Sequence, residues 1–486
     1  MRMPRALVVV ALLLTLLGSV VLTGCNAVGY VTRPSSLAVA TTDPAASPTE
    51  ASTPVETATP SPSPSPSPSP SPSASASASA SASATADASA TASADATATV
   101  DASATVSADA TATVSPTPLA SHPGDSDDVV VKKYYESTLP TGLTVDLLYD
   151  KYDTYLDYFV VLHSGYSIRS KPDPDAKRLG RASFATRWKL LAKVEGADGK
   201  TWYRIQYSKK KVGYILGKAG SVRHFQVDDA FARAQALKAV TDLEDTVYIN
   251  NYRNRAGKSP AIAESKYKDV DVYGNRRDQA APALATPNDE KPARYLPDGL
   301  LGQIISVEKK IALVYFPTYQ QSWYVPVKYL SYKKDAISEL TQLAVVDRKN
   351  QNIIVMQYKD DAWTIVSMSY VSTGKNTGYA IPTPLGDFRA IDKTSKFWYY
   401  ADGTKTIDGY APYAVRFSAG GYLHGVPRGV KYDEETGKMI VPGTAESNGT
   451  LGTTPQSHMC VRNYTSHAYW MYKWFELGES AVIVIE

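Results

Sequence analysis

From about residue 159 onward, apolar positions fall in short runs rather than at helical spacing. Residues 166–169, 188–191, 202–205 and 212–215 are runs of β-type side chains divided by turn signals, and Asp198-Gly199 between two of them marks a tight hairpin. One stretch breaks the habit. Phe231, Ala234, Leu237 and Val240 recur at helical spacing within residues 226–246, and Asp228 and Asp229 suit a first turn. A helix is predicted there, as part of a helical linker over 226–262. The strand pattern returns at 302–305, 312–316 and 322–325, and residues 263–335 read as a second, divergent copy of the first small module. From 341 the runs 343–347 and 353–357 flank the polar turn RKNQN, followed by 363–371, 397–400, 413–417 and 481–485. A single further helix is predicted near 465–476, opening on Thr465-Ser466. The fold class is mainly β.

The first 128 residues read differently. Arg2 and Arg5 precede an uncharged apolar stretch over 6–21, which ends in Leu22-Thr23-Gly24-Cys25. A positive start, a short apolar core and small residues at the end make a secretory signal, and the run is short for a membrane span. The residues LTGC resemble the bacterial lipobox. That resemblance implies that residues 1–25 are a lipoprotein signal peptide and that Cys25 carries a lipid at the mature N-terminus. Residues 26–128 consist of Ser-Pro repeats and Ala/Ser/Thr units. With almost no large apolar side chains they cannot offset the chain entropy of folding, so a disordered linker is expected. Roughly 100 residues at about 3 Å each reach about 300 Å when fully extended, enough to hold a folded head away from a membrane.

Composition narrows the functions. A formal net charge of +3 without a dense Lys/Arg patch gives no reason to expect nucleic-acid binding. Tyrosine outnumbers phenylalanine 33 to 9, as suits half-exposed strands. No Cys/His cluster has zinc spacing, and no metal or organic cofactor is expected. The chain has two cysteines. If Cys25 is lipidated, Cys460 is a free thiol in an oxidising compartment, where a leftover cysteine points to a reactive group or an intermolecular bridge. Its neighbours Ser457, His458 and Arg462 are polar, which argues against an apolar filler. It lies just before a predicted helix, whose N-terminus favours a thiolate.

A reactive cysteine needs a base in reach, and donors for the oxyanion where it attacks a carbonyl. Cys460 is the nucleophile candidate. On residue type and spacing, His424 and His458 are equal candidates for the base, since in an extended loop His458 points the same way as Cys460. His467, on the predicted helix, reads as structural. Arg462 can hold a substrate carboxylate or favour the thiolate, or shape the loop through an ion pair. Phe417, Tyr422 and Trp470 are aromatic candidates for a cleft wall, with core as the ordinary expectation.

The segments STGKNTGYAIPTPLGDF (372–388), YLHGVP (422–427) and SHMCVR (457–462) resemble, in order and context, the L,D-transpeptidase catalytic domain of the YkuD family, over 341–486. The resemblance implies a β-sandwich-like domain with Cys460 as nucleophile, His424 as base and His458 in support. It also implies an oxyanion hole from the backbone of Met459 and Cys460, with Ser457, Gly425 and Arg462 at the substrate. The implied substrates are peptidoglycan stem peptides, joined by 3→3 cross-links through a thioester. The order SIRSKPD, KLLAKV, DGKTWYRIQY, KKVGYI over 159–225 resembles a bacterial SH3-like domain, so small β-barrels that bind wall peptides or pack on the catalytic domain are expected. A monomer, tethered to the membrane by its lipid and reaching into the wall, completes the picture.

Two departures stand out. Met459 occupies a position where the family has glycine, so its side chain must turn away or line the groove. His424 and Cys460 are 36 positions apart (460 − 424), longer than the family's usual gap, and residues 428–454 read as an inserted loop, a candidate lid. The alternatives are an L,D-carboxypeptidase that uses water as acceptor, an inactive wall-binding protein, and an enzyme that joins a protein amine to the stem.

Overall fold

The computed structural model describes residues 129–251, 279–332, 337–377, 380–402 and 404–486. The expected signal segment, Cys25 and the linker 26–128 lie outside the described residues, as do the end of the expected helical linker and the start of the second module.

The first module is a sheet of eight strands. Its path runs Arg178–Arg181, Ser167–Arg169, Lys211–Leu216, Thr201–Ser208, Arg187–Glu195, Asp157–Val161, Gly220–His224, with Val130–Tyr134 also paired to Arg187–Glu195. Along Arg187–Glu195 the even positions Trp188, Leu190, Ala192 and Val194 are buried and the odd ones partly exposed, the two-residue period of a strand with one face on a core. Gly199 takes φ +68° in the hairpin, and the Asp198 carboxylate accepts from the Lys200 amide (3.1 Å) and Trp202 Nε1 (3.1 Å). A small SH3-like β-barrel is expected here. The sheet path ends at two separate strands, and no closed barrel is present among the described residues.

Helix α1, Val227–Thr241, follows with Asp228 and Asp229 in its first turn. It joins the first module to the second sheet, as expected of a linker position, and it is also packed. Ala230, Ala234 and Leu237 pack into one cluster with Leu343, Val345, Ile354, Met356, Ile483 and Ile485 of the C-terminal domain. The chain then enters a strand, Thr246–Ile249, the fourth in a second sheet ordered Gln321–Pro326, Ile311–Phe316, Leu301–Glu308, Thr246–Ile249, Leu330–Tyr332. This sheet is also open among the described residues. Arg233 of α1 and Thr318 of the second module both bond the buried Asp387 of the C-terminal domain (2.7 and 2.6 Å).

The C-terminal domain is a sandwich of two sheets. The first runs Thr144–Tyr149, Ala362–Tyr370, Asn352–Lys359, Gln342–Asp347, Ser480–Ile485, Gly386–Arg389. Its central strands Gln342–Asp347 and Ser480–Ile485 are buried on both faces, and alternation separates the two sides. Ala344, Val346, Ile353, Val355, Val482 and Val484 face the second sheet, while their neighbours face α1. Thr144–Tyr149 lies in the chain between two strands of the first module, yet it pairs in parallel with Ala362–Tyr370 and so belongs to this domain. The second sheet holds Asp392–Tyr400, Ile407–Ser418, Gly421–His424 and Val461–Arg462 in that order, with Arg428–Gly429 paired to Ile407–Ser418. Helix α2, Thr465–Trp474, closes one end through Met471, with Phe475 just beyond it. No described helix is long and apolar enough to cross a membrane.

Candidate active site

Strands Gly421–His424 and Val461–Arg462 pair in parallel, with Leu423 opposite Val461 and His424 opposite Arg462. Leu423 and Val461 are buried in the sandwich core. The two-residue period therefore turns His424 and Arg462 to the opposite face, together with Tyr422 and Cys460, each two positions earlier. The sequence pattern YLH thus has one core anchor flanked by two side chains on the working face.

The Cys460 thiol is buried beside Ala414, Tyr422 and Phe397. Sγ donates to the Gly420 carbonyl (3.4 Å). Burial pushes the thiol up to about 11, opposed by a hydrogen bond from the Tyr422 amide and by the charge of Arg462. Phe397 and Tyr422 stack with centroids 4.2 Å apart, so these two rings wall the thiol. Phe417 is instead wholly in the core, and Trp470 stacks with His467 and Trp474. Phe397 was not singled out in the sequence. Its signal was the aromatic run 397–400, which reads equally as strand.

His424 Nδ1 lies 2.5 Å from the Gly425 carbonyl. A carbonyl only accepts, so Nδ1 carries the proton and Nε2 is left as a basic lone pair. Burial lowers the ring to about 4; the Gly425 bond opposes this and Arg462 adds to it. At neutral pH both partners are therefore uncharged, a thiol with a neutral imidazole. Arg462 acts on both: its charge favours a thiolate at Cys460 and disfavours an imidazolium at His424. Its Nε is buried without a hydrogen-bond partner among the described residues. Such a guanidinium is available to a substrate carboxylate or to charge that develops during reaction.

The loop before the thiol is held by hydroxyls and backbone. Ser457 Oγ donates to the Cys460 carbonyl and also meets the Met459 amide at 3.4 Å. Thr383 Oγ1 donates to the Met459 carbonyl (2.7 Å) and accepts from the Gly374 amide (2.9 Å). Ser372 exchanges two backbone bonds of 2.9 Å with Arg462, and the Lys375 and Ile381 amides bond the carbonyls of Ser457 and His458. The segments STGK and PTPLG are therefore the sides of the frame that holds the cysteine.

Several expected site residues sit elsewhere. The Ser457 bond tightens the loop into a turn, so His458 does not follow the alternation of an extended strand. Its ring is half exposed and Nε2 pairs with Asp402 (3.1 Å) on the neighbouring hairpin turn. Ser457 is buried and engaged with the loop itself, a positioning residue rather than a substrate contact. Gly425 is buried where a Cβ would come within 2.8 Å of Thr465 Oγ1 and 3.0 Å of Pro412 Cγ, so it lets the strand pack on the start of α2. His467 is structural, as expected: buried, within 3.2 Å of Asn463 Oδ1 and 3.1 Å of Ser367 Oγ. Met459 does not take a positive φ. A Cβ on Gly374 would meet the Met459 Cα at 2.9 Å, and its Sδ lies beside Gly421. Two glycines opposite it thus make the room that the missing glycine would have given. Among the described residues no group of three or more His, Cys, Asp or Glu side chains is placed to hold a metal.

The inserted loop is pinned. The Glu446 carboxylate accepts from the Ser466 amide at the α2 N-terminus (3.0 Å), from Tyr152 OH (2.7 Å) and from Lys151 Nζ (3.0 Å). Tyr410 OH donates to the Pro442 carbonyl (2.8 Å). These bonds run to α2, to the 151–152 segment and to a sandwich strand, the geometry of a fixed wall rather than a free lid.

A buried thiol, a neutral imidazole and a guanidinium on one sheet face make up the elements of cysteine-dependent acyl transfer. Residues 341–484 match the family model of the YkuD domain, the L,D-transpeptidase catalytic domain, and this part of the chain carries that domain. Solved structures similar to the chain include an L,D-transpeptidase from Mycobacterium smegmatis, at 17% identity over 49% of this chain and 99% of that one, TM-score 0.24. Another is L,D-transpeptidase 3 from Mycobacterium tuberculosis with a faropenem-derived adduct, at 15% identity over 42% and 78%, TM-score 0.23. Among curated proteins no match is found.

Proposed function

We propose that the chain is a peptidoglycan L,D-transpeptidase that works through a Cys460 thioester. His424 Nε2 takes the thiol proton as Sγ attacks the carbonyl before the terminal D-alanine of a tetrapeptide stem. Backbone donors at Met459 and Cys460, with Arg462 nearby, stabilise the oxyanion. The C–N bond breaks, the D-alanine amine leaves with the proton from His424, and the acyl group stays on sulfur. The side-chain amine of a second stem then attacks the thioester, giving a 3→3 link and restoring the thiol. Because both groups are neutral at rest, the proton moves during attack rather than before it. The placement of Cys460, His424 and Arg462 on one face of two parallel strands within 341–484 carries this reading.

The same proposal has Cys25 lipid-anchored in the cell membrane, residues 26–128 as a tether, and a monomeric head that works in the wall. The two sheet modules, SH3-like in sequence, support the catalytic domain through the shared core. The test is intact-mass spectrometry of the full-length protein in detergent with a disaccharide-tetrapeptide. The expected result is an adduct equal to substrate minus D-alanine, absent in Cys460→Ala, followed by a dimeric product. Adduct with only hydrolysed tripeptide would give water as the acceptor. No adduct, with no labelling by a carbapenem, would end the enzyme reading.

A further inference from the structure

The inserted hairpin of residues 428–448 builds a cavity of about 470 Å³ that the chemistry above does not use. One wall is Val426 and Pro427, which follow His424-Gly425 directly. Two residues of chain span at most about 7 Å, so this wall begins within that span of the His424 backbone. That wall is fixed, since the Val426 amide donates to Thr465 Oγ1 (3.0 Å). The facing wall is fixed as well, by Pro442 and Glu446 as described.

The lining is polar in one sense only. Arg428 and Lys431 line the cavity with no acidic residue among the lining positions. Neither forms an ion pair among the described residues. Glu446, next in sequence to the lining residue Ala445, is spent on α2, Tyr152 and Lys151, and Asp408 adjoins the lining through the bond from the Val430 amide to its carbonyl. Asp433, in the hairpin turn, is engaged with Thr436. Beside the two cations the hairpin shows Ile440 at 52% and Tyr432 at 44% exposure. Exposed apolar side chains rimmed by unpaired cations are the signature of a surface that takes an amphipathic acidic ligand.

We propose that this cavity binds a short peptide through its carboxylates, and that in the reaction above it seats the acceptor stem. The second half rests on the proposed function; the binding half does not. The volume suits a few residues rather than a folded partner. The apolar rim suits small aliphatic side chains, and the two cations supply charge-assisted bonds to a carboxylate.

Full-length protein carrying Cys460→Ala is titrated calorimetrically with L-Ala-γ-D-Glu-L-Lys, and with the same tripeptide amidated at both carboxylates. The free acid is expected to bind, and the diamide to bind about tenfold or more weaker. Arg428→Gln with Lys431→Gln should raise the Kd of the free acid by about tenfold or more at an unchanged melting temperature. Lys438→Gln, which removes a charge from the same hairpin outside the lining, should leave it unaltered. Equal binding of acid and diamide, an unaltered Kd in the double variant, or an equal loss in Lys438→Gln would each overturn the proposal. Full displacement of the tripeptide by inorganic phosphate at equal concentration would overturn it in favour of a phosphate site. Because binding is read without turnover, a chain that never acylates Cys460 but binds in this pattern would sink the enzyme reading and keep the site.

Discussion

Removing everything before residue 341 should unfold the catalytic domain, although the family match covers only 341–484. The face of the first sheet that meets α1 carries Leu343, Val345, Ile354, Met356, Ile483 and Ile485, all at most 5% exposed. Uncovering six such side chains costs about 1.5–3 kcal/mol each, or about 9–18 kcal/mol together. A domain has about 5–15 kcal/mol in all. The truncation also strips the edge strand Thr144–Tyr149 and the Arg223 bond to the Thr453 carbonyl (2.5 Å) at the base of the cysteine loop. The assay is thermal melting by far-ultraviolet circular dichroism, with amide proton dispersion by NMR, on the fragment 341–486 beside the full chain. The expected outcome is a fragment without a cooperative transition. A fragment that melts cooperatively within about 5 °C of the full chain would refute the reasoning and leave α1 with no part in holding the catalytic domain together.

Three further outcomes follow from the site. Cys460, at about 11, is two units above an ordinary thiol at 9.0, so at pH 8 its thiolate fraction is about a hundredfold lower. Iodoacetamide should label it at least that much more slowly than the same thiol in urea, and a titration midpoint below pH 7 would instead show an imidazolium–thiolate pair. His424 and His467, lowered to about 4 and about 3 by burial, stay neutral in the fold while the unfolded chain takes protons below 6.5. Stability is therefore complete above about pH 6.5 and falls as pH drops towards 4; the urea midpoint should decline over that window, and a flat profile would contradict the burial. Thr383→Val leaves the Gly374 amide and the Met459 carbonyl without their shared hydroxyl. It should cost about 1–3 kcal/mol of stability by urea unfolding and slow acylation, with Thr383→Ser restoring most of both.

Much of the fold was legible because strands buried on one face print their period on the chain. Residues 188–195 show this plainly, and the DG turn before Thr201 fixed a hairpin locally. Cys460, His424 and Arg462 were singled out through family motifs, and the YLH alternation accounts for their sharing one sheet face. What failed were inferences needing tertiary context. The spacing of Phe231, Ala234 and Leu237 gives a helix but not what covers it. Residues 144–149 were not singled out as a strand, and nothing local in them names a partner more than two hundred residues away. His458 was misplaced because alternation assumes an extended chain, and one hydroxyl bond from Ser457 bends it.

The first sheet of the sandwich is closed by chain segments that are remote in sequence. Thr144 and Thr364, 220 positions apart, meet at 2.8 Å, and Thr341 bonds Glu479 across 138 positions. Loop-closure entropy must be met before such pairings give anything in return, so folding should be slow for a chain of this size. Until Ser480–Ile485 inserts between its two neighbours, both flanking strands show open, apolar edges. The interval between synthesis and the finished head is therefore when this chain is most exposed to aggregation, and a chaperone that shields strand edges would matter more to its yield than any single contact in its core.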